Sequence, residues 1–215
     1  MSKRAVFLLQ AAVFGLSLLP ALDLWRVLRR LNPEWLTAFD FPVFSTGIAA
    51  TGAWAFIFLF LALACSPVQR LTRMSWPGEL RRTLGLFAFF YTLLHLAMYL
   101  VVGQKLRFDY AWEDAFLMKS RLPGWAALIL LIPLAVTSTD GMVRRLGGRA
   151  WKRLHLLVFP ATALAIWHMA WTQADSGTTD FHRTRNVVLA FAVLIAARLL
   201  PKLQRLISTR FSRGR

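Results

Sequence analysis

Three of the four histidines in this 215-residue chain, His95, His155 and His168, lie in stretches otherwise apolar enough to cross a bilayer. An ionisable side chain at membrane depth is expensive and usually faces a bundle interior, where it binds something, and neutral imidazole is the commonest side-chain ligand for metals. His155 and His168 belong to KRLHLLVFPATALAIWHMAW, from Lys152 to Trp171, and His95 to RRTLGLFAFFYTLLHLAMYL, which begins at Arg81. His182, between Asp180 and Arg183, falls outside such a stretch and reads as a solvated loop residue.

Counted from the charged border of each stretch, His95 follows Arg82 by 13 residues and His168 follows Arg153 by 15. At about 1.5 Å per helical residue these are depths of roughly 19.5 and 22.5 Å. If the two helices are neighbours entering from the same side, both imidazoles reach one level. Two such ligands saturate a haem iron from both faces, as in an electron-transfer haem b with no position open for oxygen chemistry. His155, two residues past Arg153, is too shallow to share that iron. Its 13-residue spacing from His168 turns about 220° around an ideal helix. Pro160 lies between them, and its missing N–H kinks the axis and changes that angle. Gly85, Ala88, Ala161, Ala163 and Ala165 are small enough for close helix approach or for a porphyrin. Zinc fits poorly, because neither helix carries a cysteine or carboxylate to complete a tetrahedron. A single intramembrane histidine reads equally well as a hydrogen-bonding packing residue; the matched depth of two favours ligation.

The elements that must position these side chains follow from the hydrophobic pattern. With 57% hydrophobic residues the chain is more apolar than a soluble domain, and it reads as an all-α integral membrane protein. Uncharged runs predict six transmembrane helices near residues 5–22, 43–66, 83–103, 122–139, 153–173 and 186–201, one membrane domain over 1–215 with haem between the third and fifth. The sixth run holds twelve uncharged residues, Asn186 to Ala197, and spans only if Arg198 snorkels to the headgroups. Lys3 and Arg4 before Ala5–Leu22 resemble a signal peptide, but no small-residue cleavage site follows, which predicts an uncleaved first helix.

The net charge of +16 would suggest nucleic acid in a soluble protein, but here the basic residues cluster between apolar runs, where orientation and anionic lipid account for them. Lys and Arg number 17 on the side holding both termini and the second and fourth loops, against nine on the other, which puts both termini in the cytoplasm. Trp25, Trp35, Trp112, Trp125 and Trp171 mark the outer interface and Trp76 and Trp151 the inner one, while Trp54 and Trp167 read as packing residues inside spans. Cys65, the single cysteine, reads as a small buried hydrophobe.

The segments RRTLGLFAFFYTLLHLAMY, LIPLAVTSTDGMVRRLGGRAWKRLHLLVF and WHMAW resemble the MsrQ (YedZ) family, the haem-binding membrane subunits of bacterial periplasmic methionine sulfoxide reductase systems, within the wider ferric reductase-like transmembrane group. The resemblance covers nearly the whole chain. It implies a six-helix protein of the bacterial inner membrane with one or two haems b, passing electrons to a soluble periplasmic molybdenum-containing subunit that reduces methionine sulfoxide in oxidised proteins. It implies haem-iron ligands at His95, His155 and His168. Two-haem relatives carry a fourth histidine where this chain has Arg81, which puts a second haem in question. The family is also associated with FMN, and Arg81 and Arg82 are candidates for its phosphate or for a haem propionate, since guanidinium pairs bidentately with such groups. The same pair reads nearly as well as a topology signal. No nicotinamide-binding glycine motif is present in the chain, so reducing equivalents come from elsewhere; the resemblance implies quinol or a cytosolic flavin reductase as the donor.

Two other readings compete. A stand-alone reductase of ferric or cupric ions would need an outer metal site, for which Asp109, Glu113, Asp114, Asp175, Asp180 and His182 are the available groups. A haem-free scaffold or transporter would use the histidines only for packing or proton relay.

Overall fold

Backbone polar groups in lipid find partners only within their own segment, so apolar runs of this length close into helices. A computed structural model of the chain describes residues 3–30, 41–104, 106–107, 109, 113–114, 117–175, 177 and 181–213. The elements are α1 (Lys3–Arg30), α2 (Phe41–Thr72) and α3 (Trp76–Met98), which ends in a π-turn (Tyr99–Gly103). A 3-10 turn (Lys119–Arg121) leads into α4 (Leu122–Val136), followed by the short α5 (Asp140–Leu146) and α6 (Gly148–Leu154). A second 3-10 turn (His155–Leu157) precedes α7 (Val158–Asp175), and α8 (Phe181–Arg213) is last. Trp35, Trp112 and Asp180 lie outside the described residues.

Among the described residues, five stretches are long and apolar enough to cross a membrane, Arg4–Trp25, Gly47–Thr72, Trp76–Val101, Lys119–Val136 and Gly148–Asp175. The run 186–201 lies within α8, a helix of 33 residues. Phe7, Leu71, Ile129, Val136 and Val193 are all more than half exposed, an apolar exterior that suits lipid and would be a liability in water. The protein is an all-helical, multi-pass membrane protein.

Most helices extend beyond their uncharged runs because basic residues at the borders continue the helix into the headgroup layer. The fourth is the exception, ending at Val136. Thr139 caps α5 instead, its hydroxyl accepting from the Met142 N–H at 3.3 Å. Gly147, at φ +74°, makes the corner between α5 and α6 in a conformation that favours glycine. In the fifth run Pro160 offers no N–H to the Leu156 carbonyl, and the chain tightens into the 3-10 turn at His155–Leu157.

The bundle is built from two tight pairs, α2 with α3 and α4 with α7, with α1 against α3 and α8 against α2 and α7. Phe58, Leu59, Ala62 and Cys65 of α2 pack on Leu80, Leu84, Phe87, Ala88 and Tyr91 of α3. Ala161 of α7 is fully buried against Leu131 and Leu134 of α4, so a small residue sets that closest approach. Tyr91 locks α1 to this core. Its hydroxyl donates to the Ser17 carbonyl at 2.7 Å and accepts from the Ala21 N–H at 3.1 Å, inserting itself into the helical ladder beside Pro20.

Candidate functional site

His95 of α3 and His168 of α7 meet with ring centres 6.3 Å apart and planes at 81°. His95 Nδ1 lies 2.9 Å from the Ile48 carbonyl of α2. His168 Nδ1 lies 2.9 Å from the Ser120 carbonyl in the turn before α4. A carbonyl oxygen only accepts, so each Nδ1 carries the proton and each Nε2 keeps its lone pair. That is the neutral tautomer of a metal-ligating imidazole, with its second nitrogen held by an outer partner. Thr51 stands 3.4 Å from His95 Nδ1, its hydroxyl donating to the Gly47 carbonyl at 2.9 Å.

Glycines seat both rings. A Cβ built on Gly124 of α4 would come 3.0 Å from His168 Cγ and Nδ1, and one on Gly52 of α2 would come 3.2 Å from His95 Cε1 and Nδ1. Gly85, singled out in the sequence for close packing, has open space at that position. The donor set suits a haem iron. Two imidazoles on one metal have ring centres about 6 Å apart, from about 2 Å per metal–nitrogen bond and about 1 Å from each nitrogen to its ring centre, close to the observed 6.3 Å.

His155 stands apart from this pair. Its Nε2 is 3.1 Å from the Thr137 hydroxyl, which donates to the Pro133 carbonyl at 2.6 Å, so Nε2–H is the donor to Thr137. Its ring stacks on Trp151 at 4.0 Å, and the Trp151 indole N–H donates to the Thr137 carbonyl at 2.9 Å. Ser120 and Thr137 thus hold His168 and His155 from opposite ends of α4; their separation of 17 positions corresponds to about 25 Å of helix.

The arginine pair is divided. Arg82 forms an ion pair with Asp140 at 2.6 Å, which holds that carboxyl below the usual carboxylate range through its hydrogen bond and charge. Arg81 instead lies near Arg198 of α8, which also feels the charge of Arg70. Arg70 donates to the Arg198 carbonyl at 3.2 Å, and the Arg198 guanidinium lies 4.9 Å over the Phe159 ring. Among the described residues no ion pair involves Arg70, Arg81 or Arg198.

At the opposite end, Tyr99, Gln104, Asp114 and Arg121 form a polar cluster. Trp54, as expected, packs in the core beside Phe58 and Tyr91, whereas Trp167 is exposed and stacks on Trp171. Among the described residues no group of three or more His, Cys, Asp or Glu side chains gathers as a metal site. Sequence reasoning missed the supporting partners: Ile48 and Ser120 act through backbone carbonyls, which residue type does not reveal. Gly52 and Gly124 did carry a signal, since glycine inside a helix usually has a packing or functional reason.

Residues 46–166 match the family of ferric reductase like transmembrane components, a region that holds His95 and His155 and ends just before His168. The chain is 43% identical over 157 residues, 72% of each sequence, to the protein-methionine-sulfoxide reductase heme-binding subunit MsrQ of Rhodospirillum rubrum. Proteins of the same description from Herminiimonas arsenicoxydans and Ralstonia nicotianae are each 41% identical, over 71% and 70% of this chain and 67% and 68% of their own lengths. No solved structure matches. On the family match and these identities, the chain belongs to the ferric reductase-like transmembrane family, among the MsrQ proteins.

Proposed function

We propose that this chain is the haem-binding membrane subunit of a bacterial protein-methionine-sulfoxide reductase system, holding one haem b between α3 and α7 through His95 and His168. The observation that supports this reading is that both imidazoles hold Nδ1 on a backbone carbonyl, which leaves each Nε2 lone pair for a ligand, with ring centres 6.3 Å apart. The names of the relatives, heme-binding subunits of that reductase, support the same reading. Haem b, when bound, supplies a one-electron couple. The chain itself fixes both tautomers, seats both rings on glycine and surrounds them with helix, so little has to reorganise around the site.

The subunit spans the inner membrane six times with both termini in the cytoplasm, and serves a soluble periplasmic molybdenum-containing partner; the 17-to-9 division of basic residues supports this orientation. Reducing equivalents come from quinol or a cytosolic flavin reductase. FMN, the cofactor proposed for the cytoplasmic end, would place its phosphate against Arg81 together with Arg70 and Arg198, since Arg82 is committed to Asp140. His155, whose Nε2 bonds to Thr137 and whose ring stacks on Trp151, belongs to that end.

The test is an optical and EPR spectrum of the purified, haem-loaded chain. His95→Ala and His168→Ala each abolish the low-spin bis-histidine signal, while His155→Ala leaves it intact. Low-spin haem of unchanged potential in both of the first two variants would overturn the assignment.

A further inference from the structure

Arg121 immediately follows Ser120, whose carbonyl accepts from His168, and Ser120 is itself buried. The Arg121 guanidinium donates to the Tyr99 hydroxyl at 2.9 Å, pairs with the Asp114 carboxylate and lies 4.9 Å over the Tyr99 ring. Tyr99 donates to Asp114, and Gln104 Nε2 reaches both Tyr99 and Asp114 at 3.2 Å. Tyr99 opens the π-turn that ends α3, the helix of His95. Such a turn widens the helix by a residue and is common at functional sites. The cluster therefore ties the end of the His95 helix to the turn that supplies the outer partner of His168. Its two charges are mostly buried, with side chains 30% and 20% exposed, so each acts through a medium that screens poorly.

Resting on the reading of His168 as a haem ligand, we infer that Asp114 and Arg121, beside the Ser120 carbonyl that accepts from His168, set as a neutral pair the reduction potential of the haem it ligates. The pair contributes no net charge while intact. Removing Arg121 leaves a carboxylate near the site, which favours the oxidised, more positive iron; removing Asp114 leaves a guanidinium, which favours the reduced form.

The experiment is a spectroelectrochemical titration of the full-length, haem-loaded chain with Arg121→Gln, Asp114→Asn and the double exchange. Arg121→Gln lowers the midpoint and Asp114→Asn raises it, each by a several-fold change in the oxidised-to-reduced ratio; a tenfold change is about 59 mV for one electron. The double variant returns toward the wild-type potential with its low-spin spectrum retained. Should a single variant lose haem, the double variant, neutral again, recovers it. Shifts of the same sign, no shift in either, or loss of haem from the double exchange would overturn the inference. A wild-type protein lacking low-spin haem would instead sink the functional reading beneath it.

Discussion

Gly124→Ala tests the site through a single methyl group. The added Cβ would lie 3.0 Å from His168 Cγ and Nδ1 and 3.1 Å from Cδ2. Carbon contacts are comfortable at about 3.5–4.0 Å, so the ring must retreat by about 0.5 Å. A retreat along the 2.9 Å bond to Ser120 stretches it to about 3.4 Å, the outer edge of hydrogen bonding. Overpacking of this kind costs about 1–3 kcal/mol, offset by at most about 1 kcal/mol of helix propensity. Weakening the outer partner of a metal-ligating histidine lowers affinity about 10–100-fold. Gly52→Ala, with its contacts to His95 at 3.2 Å, should lose less, and Gly85→Ala, with nothing within 4 Å, should keep full affinity and gain stability. Haem titration of the apoprotein in detergent, followed by absorbance and low-spin EPR, ranks the three. Wild-type affinity and an unchanged spectrum for Gly124→Ala would refute the claim that this glycine seats a ligand.

Two further outcomes are expected. Arg81→Gln combined with Arg198→Gln weakens FMN binding about tenfold or more, whereas Arg82→Gln, which breaks only the pair with Asp140, leaves it near wild type; flavin fluorescence titration reads both, and equal losses would return the site to the adjacent pair Arg81 and Arg82. Reporter fusions after Arg215 and near Arg149 read cytoplasmic and one near Asp114 periplasmic, and a periplasmic C-terminus would reverse the direction of electron flow.

The sequence by itself made the all-helical membrane class legible and put His95 and His168 at one depth. Long uncharged runs must become helices because lipid offers the backbone no other partner. The depth count put His95 level with His168 and left His155 shallow, since a helix rises by a constant amount per residue; the rings indeed meet, and His155 sits at the other end of α4. The MsrQ motifs were likewise legible, because they are local strings. Only the tertiary structure decided what surrounds those residues. Arg81 and Arg82 are neighbours in the chain, yet adjacent helical residues point about 100° apart, so Arg82 meets Asp140 of α5 while the charge of Arg81 acts on Arg198 of α8. Trp151, read as an interface marker, donates its indole N–H to the Thr137 carbonyl because α6 lies beside the end of α4. The partners that fix the imidazoles, the carbonyls of Ile48 and Ser120, are chemically the same at every residue; only the packing of α2 against α3 and of α4 against α7 selects which of them a histidine meets.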